Sequence, residues 1–315
     1  MTFSPAPGQT TAPERSTGAD RSAGGDGGHL DRGYLTMAVG HPRYLEMAVD
    51  MALSLRGHTT LPVVLASDDR LAVMARARYR DIFADIVGVE PRFLDGRARK
   101  FGVAVASPFN ETVFIDADCL VLDDPEPIWG GAGPGPVTMV GEMLGPGDHA
   151  YHHGFSTAEL MERFHLSAYL KTNSGVFHFR REGGREAFEA CLRCFLDELR
   201  PALRNPLRPW RFLGDELGFG LAGGRGGFHT FPSPGPMYWA PEIQALDPAR
   251  PTKPILHFIA PVPEPILEHL LEDVRARRAA AGLSPDASRS VWRREARSSG
   301  LSWVANRALR CFVRA

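Results

Sequence analysis

Apolar and polar residues form alternating blocks along the first half of the chain, and these blocks predict strands and helices in turn. One apolar run ends at Gly40 and a second at Ser67-Asp68-Asp69, and each is followed by residues with helical spacing. Strands are predicted at 34–39, 61–66, 86–89 and 112–122, and helices at 42–56, 70–79 and 97–106. This alternation predicts an α/β, Rossmann-like fold, in which helices cover both faces of a mixed, mostly parallel sheet.

The second half of the chain is less regular, and no internal repeat is visible in it. Strands are predicted at 137–140, 173–179, 228–231 and 255–259, and helices at 185–199, 215–222 and 265–278. The stretch 141–165 is rich in Gly, His and Pro, which is typical of a lid or an acceptor loop.

Composition divides the chain into three predicted parts, which are a disordered leader at 1–30, a single domain at 31–283 and a basic tail at 284–315. The leader is mostly small and polar, so it cannot bury enough apolar surface to offset its ordering entropy. From residue 274 onward ten Arg stand against only Asp286 and Glu295. With Trp292 and Trp303, the segment 287–315 predicts either an amphipathic helix at a membrane surface or a helix packed on the domain.

The chain as a whole is nearly neutral, with 36 basic and 37 acidic residues, so its composition predicts no nucleic-acid partner. Four Cys are too few for a disulfide framework, and the pair Cys191 and Cys194 is interpreted as two small apolar residues of one helix. No apolar signal segment precedes residue 30, and no apolar run reaches the length of a membrane span. These features predict a cytoplasmic protein, with peripheral membrane contact through 287–315 as an open alternative.

The strongest chemical signal is the acidic sequence Asp116-Ala117-Asp118 inside a very apolar segment. Burying a carboxylate is costly unless it is paired or bound to a metal, so a cation is expected beside it. If the strand ends at Asp116, both carboxylates can converge on one cation beyond its end, and oxygen ligands suit Mg²⁺ or Mn²⁺. The alternative is a strand end that forms a salt bridge to Arg or caps a turn.

Four blocks of sequence occur in an order that resembles a known family. They are RKFGVAVASPFNETVFIDADCLVLDDPEPIW at 99–129, KTNSGVFHFRR at 171–181, GDELGFGLA at 214–222 and PILHFIA at 254–260. Together they resemble the nucleotide-sugar glycosyltransferases of the GT-A fold, most nearly family 8 and related nucleotide-diphospho-sugar transferases. The resemblance extends over about 35–260, and it implies that 31–283 is a GT-A-like catalytic domain.

The resemblance implies a role for each matching residue. The metal ligands would be Asp116, Asp118 and His257. The donor nucleotide and sugar would be contacted by Ala38, Val39, Gly40, Lys100, Asp116, Ala117, Asn173, Ser174 and Gly175, and the catalytic residues would be Asp215 and Glu216. The resemblance further implies Mn²⁺ or Mg²⁺, a UDP-linked sugar donor and an acceptor of unidentified class. Asp215 would hydrogen-bond the donor sugar or serve as a general base, although a helix N-cap alone also explains this residue.

Two features depart from the family pattern. Glu216 stands where family 8 has Gln, and the family's His-x-x-Gly-x-x-Lys-Pro-Trp element does not follow His257. Two other functions therefore remain alternatives. One is a haloacid-dehalogenase-like phosphatase, although Cys119, Leu120 and Phe219 stand where its motifs have other residues. The other is a non-catalytic, nucleotide-binding GT-A-like module.

Two histidines in the stretch 141–165 are left outside this scheme. His152 and His153 are predicted to be solvated loop residues, with a role in binding the acceptor as the alternative.

Overall fold

The computed structural model describes residues 30–94, 97–203 and 213–297. Its strands are β1 (Leu30–Ala38), β2 (Val63–Ser67), β3 (Asp85–Gly88), β4 (Phe109–Ile115), β5 (Cys119–Val121), β6 (Val137–Leu144), β7 (Tyr151–His152), β8 (Phe155–Ser156), β9 (Tyr169–Arg180), β10 (Phe228–Thr230) and β11 (Ile255–His257). Its helices are α1 (Pro42–Arg56), α2 (Asp69–Arg78), α3 (Val103–Ala106), α4 (Glu126–Gly130), α5 (Thr157–Arg163), α6 (Arg181–Arg193), α7 (Arg200–Leu203), α8 (Asp215–Gly224), α9 (Ala240–Ile243) and α10 (Glu264–Ala280). The predicted leader lies outside the described residues except for Leu30.

Seven strands form the central sheet in the order β10-β6-β9-β4-β1-β2-β3. The strands β3, β2, β1 and β4 are mutually parallel and β10 is parallel to β6, whereas β9 runs antiparallel between β4 and β6. The predicted mixed, mostly parallel sheet is thus confirmed. This topology sets the carboxyl ends of β1, β2 and β4 along one edge, which is where open α/β sheets bind ligands.

Helices pack on both faces of this sheet, as the sequence predicts. Alternate residues of one strand enter opposite cores, since Val113 belongs to the cluster with α1 and α10, whereas Phe114 belongs to the cluster with α6 and α8. In the second core Phe114 stacks on Phe177 of β9 with ring centroids 4.6 Å apart. Burial on both faces fixes the register of β4 and therefore the position at which it ends.

Local caps start the two helices that follow β1 and β2. Helix α1 begins with Pro42 at its first position, and the Nδ1 atom of His41 accepts the Arg43 N–H. Asp68 caps α2, because its Oδ1 accepts the Leu71 N–H at 2.9 Å. Both helices lie within two residues of their predicted bounds.

The strand predicted at 112–122 is wrong in its second half. Strand β4 ends at Ile115, and a turn closed by the Cys119 N–H donating to the Asp116 carbonyl leads into β5. Strand β5 leaves the main sheet and pairs antiparallel with β11, with Cys119 opposite His257. Both halves are apolar because each is buried in a different sheet. The break places both aspartates of the motif in the turn and brings His257 beside them.

The stretch 141–165, predicted as a lid or an acceptor loop, contains regular structure as well as turns. It holds the end of β6, the β7–β8 hairpin and α5. His153 and Gly154 form the hairpin turn with φ angles of 50° and 82°. Two adjacent residues with positive φ are typical of a tight hairpin turn, and this conformation is uncommon for a residue that has a side chain.

The described part of the predicted tail packs on the domain. Residues 289–297 are helical, and the fully buried Trp292 donates from Nε1 to Asp50 Oδ2 at 2.7 Å. Arg289 and Arg293 form ion pairs with Glu268 of α10. Trp292 is therefore not available to a membrane surface, and Trp303 lies outside the described residues. Among the described residues, no helix has the length and apolar character that crossing a membrane requires.

Candidate active site

The two aspartates of the acidic motif lie where β4 ends, against the middle of β9. The Asp116 N–H donates to the Gly175 carbonyl at 2.8 Å, which ties the turn to β9. Strand β9 is irregular here, because its pairing with β6 passes from Phe177 opposite Met139 directly to Asn173 opposite Val140. The skipped residues Ser174, Gly175 and Val176 are therefore released from that ladder, and bulges of this kind redirect groups beside functional sites.

Lys100 reaches the same site from the 3-10 turn Arg99–Gly102. Its Nζ forms a short ion pair with the Asp116 carboxylate and lies 3.6 Å from Asp215 Oδ2. It also donates to the Ser174 hydroxyl at 2.9 Å and to the Ser174 carbonyl at 3.1 Å. One largely covered cation, 16% exposed at its side chain, thus contacts the acidic turn, β9 and the start of α8.

His257 is placed on the aspartates by the pairing of β5 with β11. Its Nε2 lies 3.2 Å from Asp118 Oδ1 and 3.9 Å from Asp116 Oδ2. Its Nδ1 lies 3.0 Å from Asn173 Oδ1, which also accepts the Gly175 N–H at 2.8 Å. Because the Asn173 oxygen is an acceptor in both contacts, Nδ1 of His257 is the donor and Nε2 faces the carboxylates.

Charges in this cluster are strongly perturbed. Burial raises the pKa of Asp116 to about 7, with Asp118 adding to the rise and Lys100 opposing it. Burial also acts to raise the pKa of Asp118, but His257 outweighs it and lowers that pKa below its usual value. The pKa of His257 is raised, because Asp118 and Asp116 outweigh the effect of burial. Two carboxylates this close to an imidazole create a site that favours a cation.

The residues present fit a divalent metal ion. The site offers carboxylate oxygens of Asp116 and Asp118 and the Nε2 atom of His257, whose second nitrogen is held by an amide oxygen as in many metal-bound imidazoles. Cys119 also lies near Asp118 and His257. Burial raises the pKa of its thiol well above the usual value, which disfavours the thiolate form. An oxygen-rich set with one imidazole suits Mn²⁺ or Mg²⁺.

Asp215 and Glu216 stand in the first turn of α8 and face the same site. The Ser174 hydroxyl donates to Asp215 Oδ2 at 3.1 Å, and the Ser174 N–H donates to Glu216 Oε1 at 3.0 Å. The alternative of Asp215 as an N-cap is wrong, because Gly214 occupies the cap position and no side chain caps this helix. Both carboxylates are therefore directed by Ser174 rather than used to start the helix.

The prediction that His152 and His153 are solvated loop residues is wrong. His152 is only 7% exposed, and its ring contacts the Tyr169 hydroxyl at 2.8 Å and the Thr172 carbonyl at 2.9 Å. His153 Nε2 lies 2.6 Å from Glu216 Oε2. Burial lowers the pKa of His152, whereas Glu216 outweighs burial and raises the pKa of His153. The two histidines outweigh burial at Glu216 and hold its pKa well below the usual value.

The residues expected to contact the nucleotide at the end of β1 divide into two kinds. Ala38 is fully buried and Val39 nearly so, whereas Gly40 is exposed at the edge of the site. The Gly40 N–H donates to Asp68 Oδ2 at 2.6 Å, and its φ of 85° favours glycine. A Cβ atom at this position would lie 3.2 Å from an Arg99 guanidinium nitrogen. Because Gly40 has no side chain, the space next to the Arg99 guanidinium group stays open.

Two arginines at the mouth of the site were not predicted. The Nε atoms of Arg43 and Arg99 are buried and have no hydrogen-bond partner among the described residues. Arg43 donates to the Tyr44 hydroxyl at 2.8 Å, and its charge interacts with that of Asp118. The chain contains 33 Arg, so no sequence signal singles out these two. The groups near these two arginines are Tyr44 of α1, Gly40 at the end of β1 and Asp118 of the acidic turn. Only the tertiary structure brings these groups together.

Comparison with known proteins identifies the fold. No family model matches the chain, and no curated protein sequence matches it significantly. Among solved structures, the apo bifunctional glycosyltransferase WbbM is similar with a TM-score of 0.50 and 12% identity, covering 85% of this chain and 52% of WbbM. The apo glycosyltransferase GlyE of Streptococcus pneumoniae TIGR4 has the same TM-score and identity, covering 83% of this chain and 64% of GlyE.

This chain has the GT-A glycosyltransferase fold. The fold implied by the resemblance is thereby confirmed, although the chain spans only about half to two thirds of the length of these two glycosyltransferases. Within the GT-A sheet, the acidic turn, His257 and the start of α8 meet at the edge formed by the carboxyl ends of β1 and β4. The candidate site therefore lies at the edge of the sheet where open α/β folds bind their ligands.

Proposed function

We propose that the protein is a metal-dependent glycosyltransferase. It moves a sugar from a nucleotide-diphosphate sugar, which we take to be a UDP-sugar, to an acceptor. One observation carries the proposal. Carboxylates of Asp116 and Asp118 and the Nε2 atom of His257, from segments about 140 residues apart in the chain, converge at the ligand-binding edge of a GT-A sheet. Lys100 already pairs with Asp116 in this cluster, and a bound divalent cation would also pair with Asp118 and take the Nε2 atom of His257 as a ligand.

In this proposal Asp116, Asp118 and His257 hold Mn²⁺ or Mg²⁺. The metal, when bound, supplies a Lewis acid that stabilises negative charge on the departing diphosphate. Arg43 and Arg99 add positive charge beside the acidic turn and Gly40, and positive charge at this place favours phosphate oxygens. They take over the phosphate contacts that the family's missing Lys-containing element would make. Gly40, beneath Arg99, lets the nucleotide approach the end of β1.

Asp215 and Glu216 have different tasks in this scheme. Glu216 is held on both oxygens, by the Ser174 N–H and by His153, and its low pKa keeps it ionised. Glu216 therefore orients substrate hydroxyl groups and contributes a fixed negative charge to the site, and it does not exchange protons. Asp215 is held by the Ser174 hydroxyl and lies near Lys100, which suits contact with donor-sugar hydroxyls. If the reaction inverts configuration, Asp215 is the group for general-base catalysis.

The phosphatase alternative is less well supported. Its late acidic loop needs a second acid where this chain has Phe219, and Phe219 is fully buried among aromatic rings. A non-catalytic nucleotide-binding module would have the same fold, and the experiment below distinguishes it.

Thermal unfolding with UDP, GDP, CDP and dTDP, each with and without Mn²⁺, tests the proposal, because a ligand that binds the native state stabilises it. We expect a Mn²⁺-dependent increase in melting temperature that is largest for UDP, followed by Mn²⁺-dependent release of UDP from a UDP-sugar. Binding without turnover of any UDP-sugar would favour the non-catalytic module. Stabilisation by Mg²⁺ with a phosphate mimic, and by no nucleotide, would favour the phosphatase.

A further inference from the structure

A cleft of about 860 Å³ opens beside the candidate active site. It shares Asn173 and Glu216 with that site and extends between the β7–β8 hairpin and the segment 230–239. Its volume falls in the range of sites that enclose a small organic ligand. The proposed metal ligands and the two arginines do not line this cleft, so the proposed donor site leaves its role unassigned.

We propose that this cleft binds the acceptor, and that the acceptor is a neutral saccharide. The proposal rests on the proposed sugar transfer and adds to it the substrate class and the residues that select it. Tyr151 and Trp239 are the stacking surfaces, and Glu142 with Lys171 supplies hydrogen bonds to hydroxyl groups.

Exposed apolar surface is concentrated in this cleft. Among the residues that the structure describes, five large hydrophobic side chains are exposed, and three of them, Met143, Tyr151 and Trp239, line it. Tyr151 is 48% exposed and Trp239 is 38% exposed. Exposed aromatic side chains that share one concave surface mark a ligand site. The apolar C–H face of a pyranose ring packs well on such rings, whose polar edges stay in water.

The charges along the cleft are balanced. Lys171 Nζ lies 2.8 Å from Glu142 Oε1, and His153 is paired with Glu216. Burial lowers the pKa of His152, which favours its neutral form. Among the described lining residues, each cationic group therefore already has an acidic partner. A phosphorylated or sulfated acceptor would find no unpaired cation here, whereas a neutral, hydroxyl-rich ligand needs none.

The polar groups of the cleft suit hydroxyl recognition. Glu142 and Lys171 are side by side on neighbouring strands, 58% and 35% exposed at their side chains, so both a donor and an acceptor face solvent. The cleft is also lined by Asn173 and Glu216, which belong to the candidate donor site. A saccharide stacked on Trp239 can thus extend a hydroxyl toward the reacting centre.

Saturation-transfer difference NMR with the full chain tests the proposal. The probes are a panel of methyl pyranosides and neutral disaccharides, together with glucose 6-phosphate as the charged comparison, each recorded without nucleotide and with UDP and Mn²⁺. We expect at least one neutral saccharide to bind more tightly than glucose 6-phosphate. Trp239→Ala and Tyr151→Ala should each weaken its binding by roughly tenfold or more, as truncation of buried aromatic anchors commonly does. Trp239→Phe should restore part of the affinity.

Val73→Ala is the matched control, because Val73 is 66% exposed on α2, outside the cleft. It should leave saccharide affinity unchanged, and the melting temperature of each variant shows that it is folded. Equal saccharide binding by wild type and both alanine variants would overturn the cleft assignment. Absence of any saccharide binding while UDP and Mn²⁺ bind normally would overturn the acceptor class and leave the proposed function standing. Failure of UDP to bind would instead overturn the proposed function, while the nucleotide-free spectra still decide the cleft.

Discussion

Gly175 lies so close to His257 that no side chain fits between them. A Cβ atom at position 175 would stand 2.3 Å from His257 Nδ1 and 2.9 Å from Asn173 Oδ1. The glycine has an ordinary negative φ, so it is required for this approach and not for backbone conformation. The absence of a side chain at Gly175 thus lets the imidazole approach β9 closely, with Nε2 directed toward the aspartates.

Gly175→Ala is therefore expected to displace His257 and weaken metal binding. A methyl group at 2.3 Å forces the ring away from Asn173 and removes the contact that orients its nitrogens. Changes that misorient a metal-ligating histidine typically reduce affinity by about 10- to 100-fold. Calorimetric titration with Mn²⁺ in the presence of UDP measures this. Gly88→Ala is the control, because a Cβ there meets nothing within 4 Å. Unchanged Mn²⁺ affinity in Gly175→Ala would show that His257 is not a ligand.

Asp118→Asn is expected to abolish turnover with Mn²⁺ supplied. The amide keeps the size of the carboxylate but loses its charge, which divalent cations require of such ligands. The assay is release of UDP from a UDP-sugar at saturating Mn²⁺. Asp81→Asn is the control, since the Asp81 side chain is 92% exposed at the surface. Full activity of Asp118→Asn would refute the metal assignment.

The acidic motif shows how far the sequence leads and where it stops. Asp116 and Asp118 alone indicate a cationic partner, but only the resemblance of the four sequence blocks implies that this partner is a metal ion. The end of the strand is not visible, because apolar periodicity does not say that Cys119–Val121 pairs in a second sheet. His257 was found by resemblance only. Its approach to the aspartates depends on that second sheet and on Gly175, neither of which leaves a local pattern.

The contacts of His153 show the same limit. A histidine pair in a Gly-rich stretch looks solvated, and only the fold brings the β7–β8 turn to the start of α8. The positive φ of His153 belongs to this hairpin turn and is visible only in three dimensions.

The ion pair of His153 and Glu216 predicts a defined pH dependence of stability. The pKa of His153 is raised above 6.5, so its contribution is complete below pH 6.5 and is lost as pH rises through the raised pKa. The pKa of Glu216 is lowered below 4.5, so its contribution is complete above pH 4.5 and is lost as pH falls through the lowered pKa. The pair therefore stabilises fully between these two values.

His153→Gln should accordingly lower the melting temperature most between pH 4.5 and 6.5, with the difference from wild type shrinking at higher pH. Melting curves from about pH 5 to about pH 9 measure this difference. His149→Gln is the control, because His149 is exposed on the same stretch. A difference that stays constant across the range would mean that charge pairing is not what His153 contributes.

Arg43→Gln and Arg99→Gln are each expected to weaken UDP binding by roughly tenfold, since charge-assisted hydrogen bonds to phosphate are among the stronger ones. Uridine, which has no phosphate, should bind the variants and wild type alike. Calorimetry with both ligands separates the two effects. Arg80→Gln is the control, because its side chain is 81% exposed. Equal losses for uridine and UDP would place the arginines on the nucleoside instead of the diphosphate.

Arg278 of α10 should matter far more to stability than its neighbour Arg275. Arg278 is 1% exposed and pairs with Asp50, which is fully buried on α1 and also accepts from Trp292. Arg278→Leu leaves the Asp50 carboxylate buried without its cation, and breaking such a pair costs about 3–5 kcal/mol of the free energy of unfolding. Arg275 is 50% exposed, so Arg275→Leu should change that free energy by less than about 0.5 kcal/mol. Urea unfolding measures both, and similar losses would mean that the buried pair does not anchor α10 to α1.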